Sequence, residues 1–227
     1  MPRFICGIDE AGRGPLAGPL IAAAVVVPED YEWSFEVRDS KKFTERRREQ
    51  WAQEFKAHAR QVGIHYEITS IEVPHINFGG IGWANREIFR RLVLSNEADE
   101  YIVDGNHPLL DIGDKADRAQ SVVRADQTYK VVMAASILAK TYRDQIMREL
   151  HDKYPQYHWK KNKGYGTSEH IAALKTFGST PHHRGKFAQT VQDKIYPDRG
   201  HRRSGQPLLF LGPGPSVLAL TLLSQLL

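Results

Sequence analysis

The feature that most constrains this chain is a short stretch near its start, where two adjacent carboxylates stand between an apolar run and a glycine-rich one. Residues 4–8 are apolar, as in a buried strand, and Asp9 and Glu10 follow them directly. The tripeptide Gly12-Arg13-Gly14 comes next. Adjacent carboxylates repel each other, and glycines weaken both helices and strands. Because nothing in the local chain compensates for either, we expect something bound at this point to do so.

Two further carboxylates follow predicted strands. Residues 100–103 read as a strand that ends at Asp104, and residues 120–123 read as another that ends just before Asp126. In an α/β sheet, functional groups gather at the carboxyl ends of the strands. If these strands are neighbours of the first one, all four carboxylates converge on one place.

Divalent cations are the simplest compensation for such a cluster. Asp and Glu oxygens suit Mg²⁺, and two ions about 3.5–4 Å apart can drive phosphodiester hydrolysis. The Cys and His spacing typical of zinc sites is absent from the sequence. The alternative is that each acid is only a turn residue, since Asp104-Gly105 is a common turn pair. That alternative is favoured for any single acid, whereas the conjunction of four acids beside glycines favours a metal site.

The distribution of charge indicates a polyanionic partner. The chain has 227 residues and a formal net charge of +4. Between residues 158 and 203, ten lysines and arginines stand against three acids. A basic region would attract phosphates while the acids hold cations, as a metal-dependent nuclease requires. The alternative is an ordinary solvated basic surface.

The remaining patterns predict an α/β protein of one large domain, or one domain with an appendage. Apolar runs predict two more strands at residues 20–27 and 62–69. Helical spacing predicts helices at 44–61, 85–95, 129–153 and 168–177, with Thr44 and Ser168 as N-caps. A single cysteine, Cys6, excludes an internal disulfide. With no signal-peptide pattern at the N-terminus, we expect a cytoplasmic location.

Taken in order, these residues resemble type 2 ribonuclease H, the bacterial ribonuclease HII group. The resemblance covers about residues 4–190. Its six motifs are I-C-G-I-D-E-A-G-R-G-P-L-A-G-P at 5–19, D-S-K-K at 39–42, I-V-D-G-N at 102–106, A-D at 125–126 with A-A-S-I-L-A-K at 134–140, K-G-Y-G-T at 163–167, and the closing residues 181–187.

The resemblance implies a ribonuclease H-like α/β fold, with a mixed central sheet flanked by helices and a helical C-terminal part, within residues 1–190. It implies an endonuclease that hydrolyses the RNA strand of RNA–DNA hybrids. It also implies nicking on the 5′ side of single ribonucleotides embedded in duplex DNA, which leaves 3′-hydroxyl and 5′-phosphate ends and begins ribonucleotide removal.

The resemblance also implies roles for individual residues. Asp9, Glu10, Asp104 and Asp126 would be the catalytic acids that bind two Mg²⁺ or Mn²⁺ ions. Gly12, Arg13 and Gly14 would read the 2′-hydroxyl, and Tyr165 would pack on the sugar at the RNA-to-DNA junction. Lys41 and Arg184 would contact phosphates. The chain departs from the family pattern at Thr128, where many bacterial members have lysine, and at residues 184–187, which read R-G-K-F where R-R-S-F is usual.

Residues 191–227 form a separate predicted tail. Its last part, residues 204–227, carries no charge, and a Gly-Pro break leaves too short an apolar run to span a membrane. The stretch Gln206-Pro207-Leu208-Leu209-Phe210 resembles the Q-L-x-L-F peptide that binds the bacterial sliding clamp. The alternative is an apolar strip that packs on the enzyme. We expect a monomer.

Two other functions compete with this interpretation. One is a DNA-directed nuclease such as a junction resolvase, which would gain nothing from Gly12-Arg13-Gly14 and Tyr165 as sensors of a 2′-hydroxyl. The other is a non-catalytic nucleic-acid-binding protein, which the four acids would hinder.

Overall fold

The computed structural model describes residues 2–33, 37 and 43–185. Lys41 lies outside the described residues, and so do the tail and its stretch Gln206-Pro207-Leu208-Leu209-Phe210. The predicted phosphate contact of Lys41, the clamp-binding prediction and the domain boundary at residue 190 therefore stay predictions. No helix of the described residues is both long enough and apolar enough to cross a membrane.

A mixed five-stranded sheet forms the centre of the fold, as predicted. The strands are β1 (Phe4–Ala11), β2 (Leu20–Pro28), β3 (His65–Ile71), β4 (Glu100–Asp104) and β5 (Ala119–Val122). Their order in the sheet is β3-β2-β1-β4-β5. The strand β1 pairs antiparallel with β2 and parallel with β4, while β2–β3 is antiparallel and β4–β5 is parallel.

The central strand β1 is longer than the apolar pattern predicts, because it contains both acids. Asp9 pairs with Ala23 and Glu10 with Ala22 of β2, so the ladder continues through them to Ala11. The acids are therefore held by a buried, two-sided sheet rather than by a loop. Such support fixes the direction of each side chain within the pleat.

Helices cover both faces of the sheet. The long helices are α1 (Glu45–Val62), α2 (Val73–Ser95) and α4 (Lys130–Lys153), and the shorter ones are α3 (Ala125–Thr128), α5 (Trp159–Asn162) and α6 (Ser168–Phe177). Two 3₁₀ turns, Gly113–Arg118 and Pro155–Tyr157, are the other helical elements of the described residues. The predicted flanking helices and helical C-terminal part are confirmed.

Several predicted boundaries are wrong for identifiable reasons. Helix α1 continues to Val62 and ends at Gly63, which adopts the left-handed conformation with φ 75°, so β3 begins only at His65. Helix α2 begins 12 residues before its predicted start, and Gly80 (φ 80°) interrupts its helical geometry. The N-cap of α6 is Thr167 rather than Ser168, because the Thr167 side chain accepts a hydrogen bond from His170 N.

The long helix α4 lies close against β1. At Gly7, an added Cβ would come within 2.6 Å of the backbone of Val131 and Val132, so only glycine permits this approach. On that face, α4 and the α1 side chains Trp51 and Phe55 enclose one apolar core, while α2 covers a second core on the other face. This packing places the middle of α4 beside the end of β1.

A third apolar cluster joins the helical C-terminal part to the loop after β1. Leu16 and Ala17 of that loop are buried with Met147 of α4 and with Trp159 and Leu174. Trp159 is completely buried, so it cannot stack on a nucleic acid. The loop at residues 12–19 is thereby held between the sheet and the C-terminal helices.

Candidate active site

One cleft of about 270 Å³ brings together eight of the ten predicted site residues. Its lining also includes residues of α4 that the sequence interpretation had not assigned. The lining residues are Asp9, Glu10, Ala11, Gly12, Arg13, Gly14, Asp104, Asp126, Ser136, Lys140, Arg143, Asp144 and Tyr165.

The parallel strand order explains why the four acids meet. Asp104 is the last residue of β4, which lies parallel to β1, and Asp126 follows β5 in the short helix α3. Asp104 Oδ1 accepts a hydrogen bond of 3.2 Å from Asp126 N. The residue before α3, Arg124, takes the left-handed conformation (φ 60°) and turns the chain there. The prediction that the carboxyl ends of these strands share one edge is confirmed.

Asp9 is only 5% exposed. Burial raises its pKa well above the ordinary value, and the charge of neighbouring Glu10 raises it further, with a smaller contribution from Asp104. Hydrogen bonds from Ser136 and from the backbone of Glu10 oppose this rise. The bond from Glu10 N to Asp9 Oδ1 measures 2.7 Å. Asp9 is thus held in place by its neighbours in a setting that disfavours its charge.

The charged form of Glu10 is disfavoured in a similar way. Burial and the charge of Asp104 raise its pKa to about 7, while Arg13 lowers it. Its Oε2 atom is buried and has no hydrogen-bond partner within the described part of the chain. A buried carboxylate oxygen without a partner costs free energy, and a cation would remove that cost.

The donor set fits hard divalent cations. The four acids offer only carboxylate oxygens, which Mg²⁺ and Mn²⁺ prefer, and no cysteine or histidine competes among the cleft-lining residues. Within residues 2–33 and 43–185, no three acidic or histidine side chains already surround one point as a preformed metal site. The fit therefore rests on the crowded charges and on the unpartnered oxygen of Glu10.

A positive rim accompanies the acids. Arg13 is exposed beside Glu10, and Lys140 of α4 lines the cleft. The pKa of the Lys140 ammonium is lowered by burial first and also by nearby cations, while Asp144 opposes this. The sequence interpretation missed Lys140. The signal was present in its spacing, because residues 136, 140 and 144 repeat every fourth position and so share one face of a helix.

The two glycines of Gly12-Arg13-Gly14 have different physical roles. Gly12 has φ +98°, and an added Cβ would lie 2.1 Å from Nε of Arg143, which passes behind it. At Gly14, an added Cβ would lie 3.7 Å from the Tyr165 ring, which is the one contact within 4 Å among the described residues other than its chain neighbours. Glycine is thus required at position 12 by the packing behind the loop, whereas position 14 is open towards the cleft.

Tyr165 stands at the edge of the cleft with 45% of its surface exposed. Its backbone is fixed on both sides. Tyr165 N donates to Asn162 O, and Tyr165 O accepts from Thr167 N and from Nδ1 of His170 at 2.9 Å. The exposed ring of Tyr165 is therefore carried by a backbone that hydrogen bonds hold in place.

The structure contradicts the predicted phosphate contact of Arg184. This side chain is fully buried, and its guanidinium donates hydrogen bonds to the carbonyl oxygens of Gly12, Arg13, Gly18 and Pro19. A phosphate cannot reach a group enclosed in this way. Arg184 therefore binds the backbone of the loop, on the side away from the cleft, and not a phosphate.

The chain is similar to one protein family and to curated members of it. A family model described as ribonuclease HII matches residues 6–190. A ribonuclease HII of Caldanaerobacter subterraneus subsp. tengcongensis is 41% identical over 191 residues, which cover 83% of this chain and 76% of that protein. A ribonuclease HII of Thiobacillus denitrificans is 41% identical over 189 residues, which cover 82% and 88%.

Solved structures share the fold. The ribonuclease H2 of Pyrococcus horikoshii OT3 has a TM-score of 0.65 at 23% identity, covering 86% of this chain and all of that one. The ribonuclease HII of Archaeoglobus fulgidus, solved in complex with PCNA, has a TM-score of 0.64 at 24% identity, covering 82% and 94%. Bst-RNase HIII in complex with Mn²⁺ has a TM-score of 0.65 at 18% identity, covering 87% and 71%. The predicted ribonuclease H-like fold is confirmed.

Proposed function

The chain belongs to the ribonuclease HII family and is therefore a ribonuclease H, a phosphodiester hydrolase, and we propose that it acts on RNA–DNA hybrids and on duplex DNA that contains single ribonucleotides. The observation that carries this proposal is the single cleft in which four crowded carboxylates adjoin a glycine loop and an exposed tyrosine. The acids supply the means to cut, and the loop and the tyrosine supply the means to recognise a ribose.

The acids would hold two divalent ions. We assign Asp9 and Asp126 to one ion, and Glu10 and Asp104 to a second. When bound, such ions activate a water molecule and stabilise the leaving 3′ oxygen. The raised pKa values of Asp9 and Glu10 support bound cations, because burial and the neighbouring carboxylates disfavour the charged forms and cations would compensate for both.

The remaining residues bind and orient the substrate. Arg13 and Lys140 bring positive charge to the cleft, where they attract the phosphate backbone. The backbone of Gly12-Arg13-Gly14 would read the 2′-hydroxyl, which is the group that distinguishes RNA from DNA. The exposed ring of Tyr165 would pack on the sugar at the RNA-to-DNA junction. From the family resemblance, we further propose cleavage on the 5′ side of the ribonucleotide, with 3′-hydroxyl and 5′-phosphate ends.

Further parts of the proposal concern the setting of the enzyme. Cys6, the one cysteine of the sequence, is buried in β1, in keeping with a reducing cytoplasm. The Archaeoglobus relative was solved in complex with PCNA. For this chain we assign binding of the bacterial sliding clamp to Gln206-Pro207-Leu208-Leu209-Phe210. Through that contact, the enzyme would remove ribonucleotides during replication. We also propose that the protein is a monomer.

A cleavage assay with matched variants tests the proposal. The purified full chain is given an RNA–DNA hybrid, an all-DNA duplex and a four-way DNA junction, each with Mg²⁺, Mn²⁺ or EDTA. We expect the RNA strand of the hybrid alone to be cut, only with metal, and not by Asp104→Asn. The control Asp111→Asn changes an exposed aspartate outside the cleft and should cut normally. Cutting of the junction would show a resolvase, and binding without cutting in any metal would show a non-catalytic protein.

A further inference from the structure

Two buried arginines lie behind the loop formed by residues 12–19. Arg143 of α4 is 2% exposed and Arg184 is 0% exposed. We propose that Arg143 and Arg184 are positioning residues, which turn the backbone N–H groups of Arg13 and Gly14 towards the cleft and so set the discrimination between ribose and deoxyribose. This inference rests on the proposed function and deepens it.

Arg184 binds the part of the loop that lines the cleft. Its Nη2 donates to Gly12 O at 2.6 Å, and its Nη1 donates to Arg13 O at 3.0 Å. Its Nε donates to Gly18 O at 2.9 Å. Its own backbone N–H donates to Leu16 O at 2.8 Å. One residue, distant in sequence, therefore holds both ends of the loop.

Arg143 binds the base of the same loop. Its Nη2 donates to Ala17 O at 3.0 Å, and its Nε donates to Pro19 O at 3.1 Å. Its Nη1 donates to Lys163 O at 2.9 Å, two residues before Tyr165. The loop and the segment that carries the exposed tyrosine are thus fastened to one guanidinium.

The direction of the carbonyls determines the direction of the N–H groups. In a trans peptide the N–H of each residue points opposite to the preceding C=O, and the described residues contain no cis peptide. Because Gly12 O and Arg13 O point back to Arg184, the N–H groups of Arg13 and Gly14 point away from it. In residues 2–33 and 43–185 neither of these N–H groups donates to a protein acceptor, and both residues line the cleft. Two adjacent donors left in this way suit a hydroxyl or phosphate oxygen.

Two glycines of the loop leave space for the side chain of Arg143. Gly12 leaves space for the Arg143 side chain, since an added Cβ would lie 2.1 Å from its Nε. At Gly18 an added Cβ would lie 3.2 Å from Nη2 of Arg143 and 2.3 Å from the sulfur of Met147. Burial lowers the pKa of Arg143 to about 10 and that of Arg184 to about 9, so both remain cations at neutral pH. The glycines are thus matched to the arginines behind them.

Lysine cannot replace either arginine. A guanidinium presents five donors in a rigid planar fork, whereas an ammonium is a compact charge on a flexible stem. The variant Arg184→Lys keeps the charge but cannot hold the carbonyls of Gly12, Arg13 and Gly18 in their present directions. A displacement of about 1 Å in a positioning element costs about 100-fold in rate.

The test uses the full-length Arg184→Lys and Arg143→Lys variants and a duplex with one embedded ribonucleotide. We expect kcat/KM to fall about 100-fold, mainly through kcat. Stabilisation by Mg²⁺ against thermal unfolding should match that of the unchanged chain, since the acids are held by β1, β4 and α3. The matched control is Arg118→Lys, which also loses a guanidinium bonded to a backbone carbonyl, that of Ala98, but at the other end of β4. It should cut normally.

The outcomes separate this inference from the proposed function. If the unchanged chain does not cut the substrate, the proposed function fails. If it cuts and folded Arg184→Lys cuts equally well, the positioning role is wrong. Should both lysine variants fail to fold, ¹⁵N NMR of Asp9→Asn, which keeps both arginines, decides. The amide signals of Arg13 and Gly14 should shift more with the ribonucleotide duplex than with an all-DNA duplex of the same sequence, and equal shifts would overturn the inference.

Discussion

The variant Glu10→Gln should stabilise the metal-free protein while it abolishes cleavage. The pKa of Glu10 is about 7 in the fold against an ordinary 4.5. The folded state therefore binds a proton more tightly than the unfolded state, and this group destabilises the metal-free fold increasingly as pH rises from about 4.5 to 7. Glutamine has no proton to lose, so the variant should lack this pH dependence.

The magnitude follows from the pKa difference. At pH 8, a pKa of about 7 instead of 4.5 lowers the free energy of unfolding by about 3 kcal/mol. Glu10 is only partly buried and titrates together with Asp9, so we expect about 1–2 kcal/mol of stabilisation in EDTA. For a chain of this length, that raises the Tm by about 4 °C.

The assay is thermal unfolding at pH 8, with EDTA and then with increasing Mg²⁺. A ligand at 100 times its Kd stabilises a fold by about 2.7 kcal/mol, so the unchanged chain should gain more from Mg²⁺ than Glu10→Gln does. The matched control, Glu29→Gln, changes an exposed glutamate at the end of β2 and should leave both curves unaltered. The reasoning is refuted if Glu10→Gln is less stable than the unchanged chain in EDTA, or if Mg²⁺ stabilises both equally.

Three further predictions concern the loop and the C-terminal part. Gly12→Ala should lose about 1–3 kcal/mol of unfolding free energy in urea, because its φ of +98° and the nearby Nε of Arg143 exclude a methyl group; an unchanged midpoint would contradict this. Burial and then the charge of His170 lower the pKa of His183 to about 3 from 6.5. The unfolded state therefore binds the proton first, so the contribution of His183 to the unfolding free energy should fall by about 1.4 kcal/mol per pH unit as pH drops from 6 to 4, measured as the difference in slope between the unchanged chain and His183→Gln. A His183→Gln variant with the same slope would show another cause. Tyr165→Ala should lower the nicking rate about tenfold or more, while Tyr165→Phe keeps the ring and most of the rate; equal losses would implicate the hydroxyl instead.

The parts of the site that depend on strand ends were predictable from the sequence. Asp9, Glu10, Asp104 and Asp126 follow apolar runs whose parallel pairing places them at one edge, so position along the chain predicted proximity in space. The sheet and the flanking helices were predictable for the same reason, since alternation and helical spacing are local patterns.

The parts that depend on long-range packing were not predictable. Arg184 is distant in sequence from Gly12, and no local pattern shows that its guanidinium is buried behind that loop. The first half of α2 was missed because the glycines around Gly80 conceal the helical pattern. Lys140 belongs to the motif at residues 134–140, but the motif alone does not show that its side chain lines the cleft. That position depends on the packing of α4 against β1.

The most direct test of the central claim is to map the cut in a DNA duplex that carries one ribonucleotide. The duplex is labelled at each end in turn and incubated with the unchanged chain and with Asp126→Asn, in Mg²⁺. We predict a single nick on the 5′ side of the ribonucleotide, with 3′-hydroxyl and 5′-phosphate ends, absent with Asp126→Asn and from an all-DNA duplex. A nick at another position, or equal cutting of the all-DNA duplex, would contradict the assignment of the acids to cutting and of the glycine loop to recognition of the ribose.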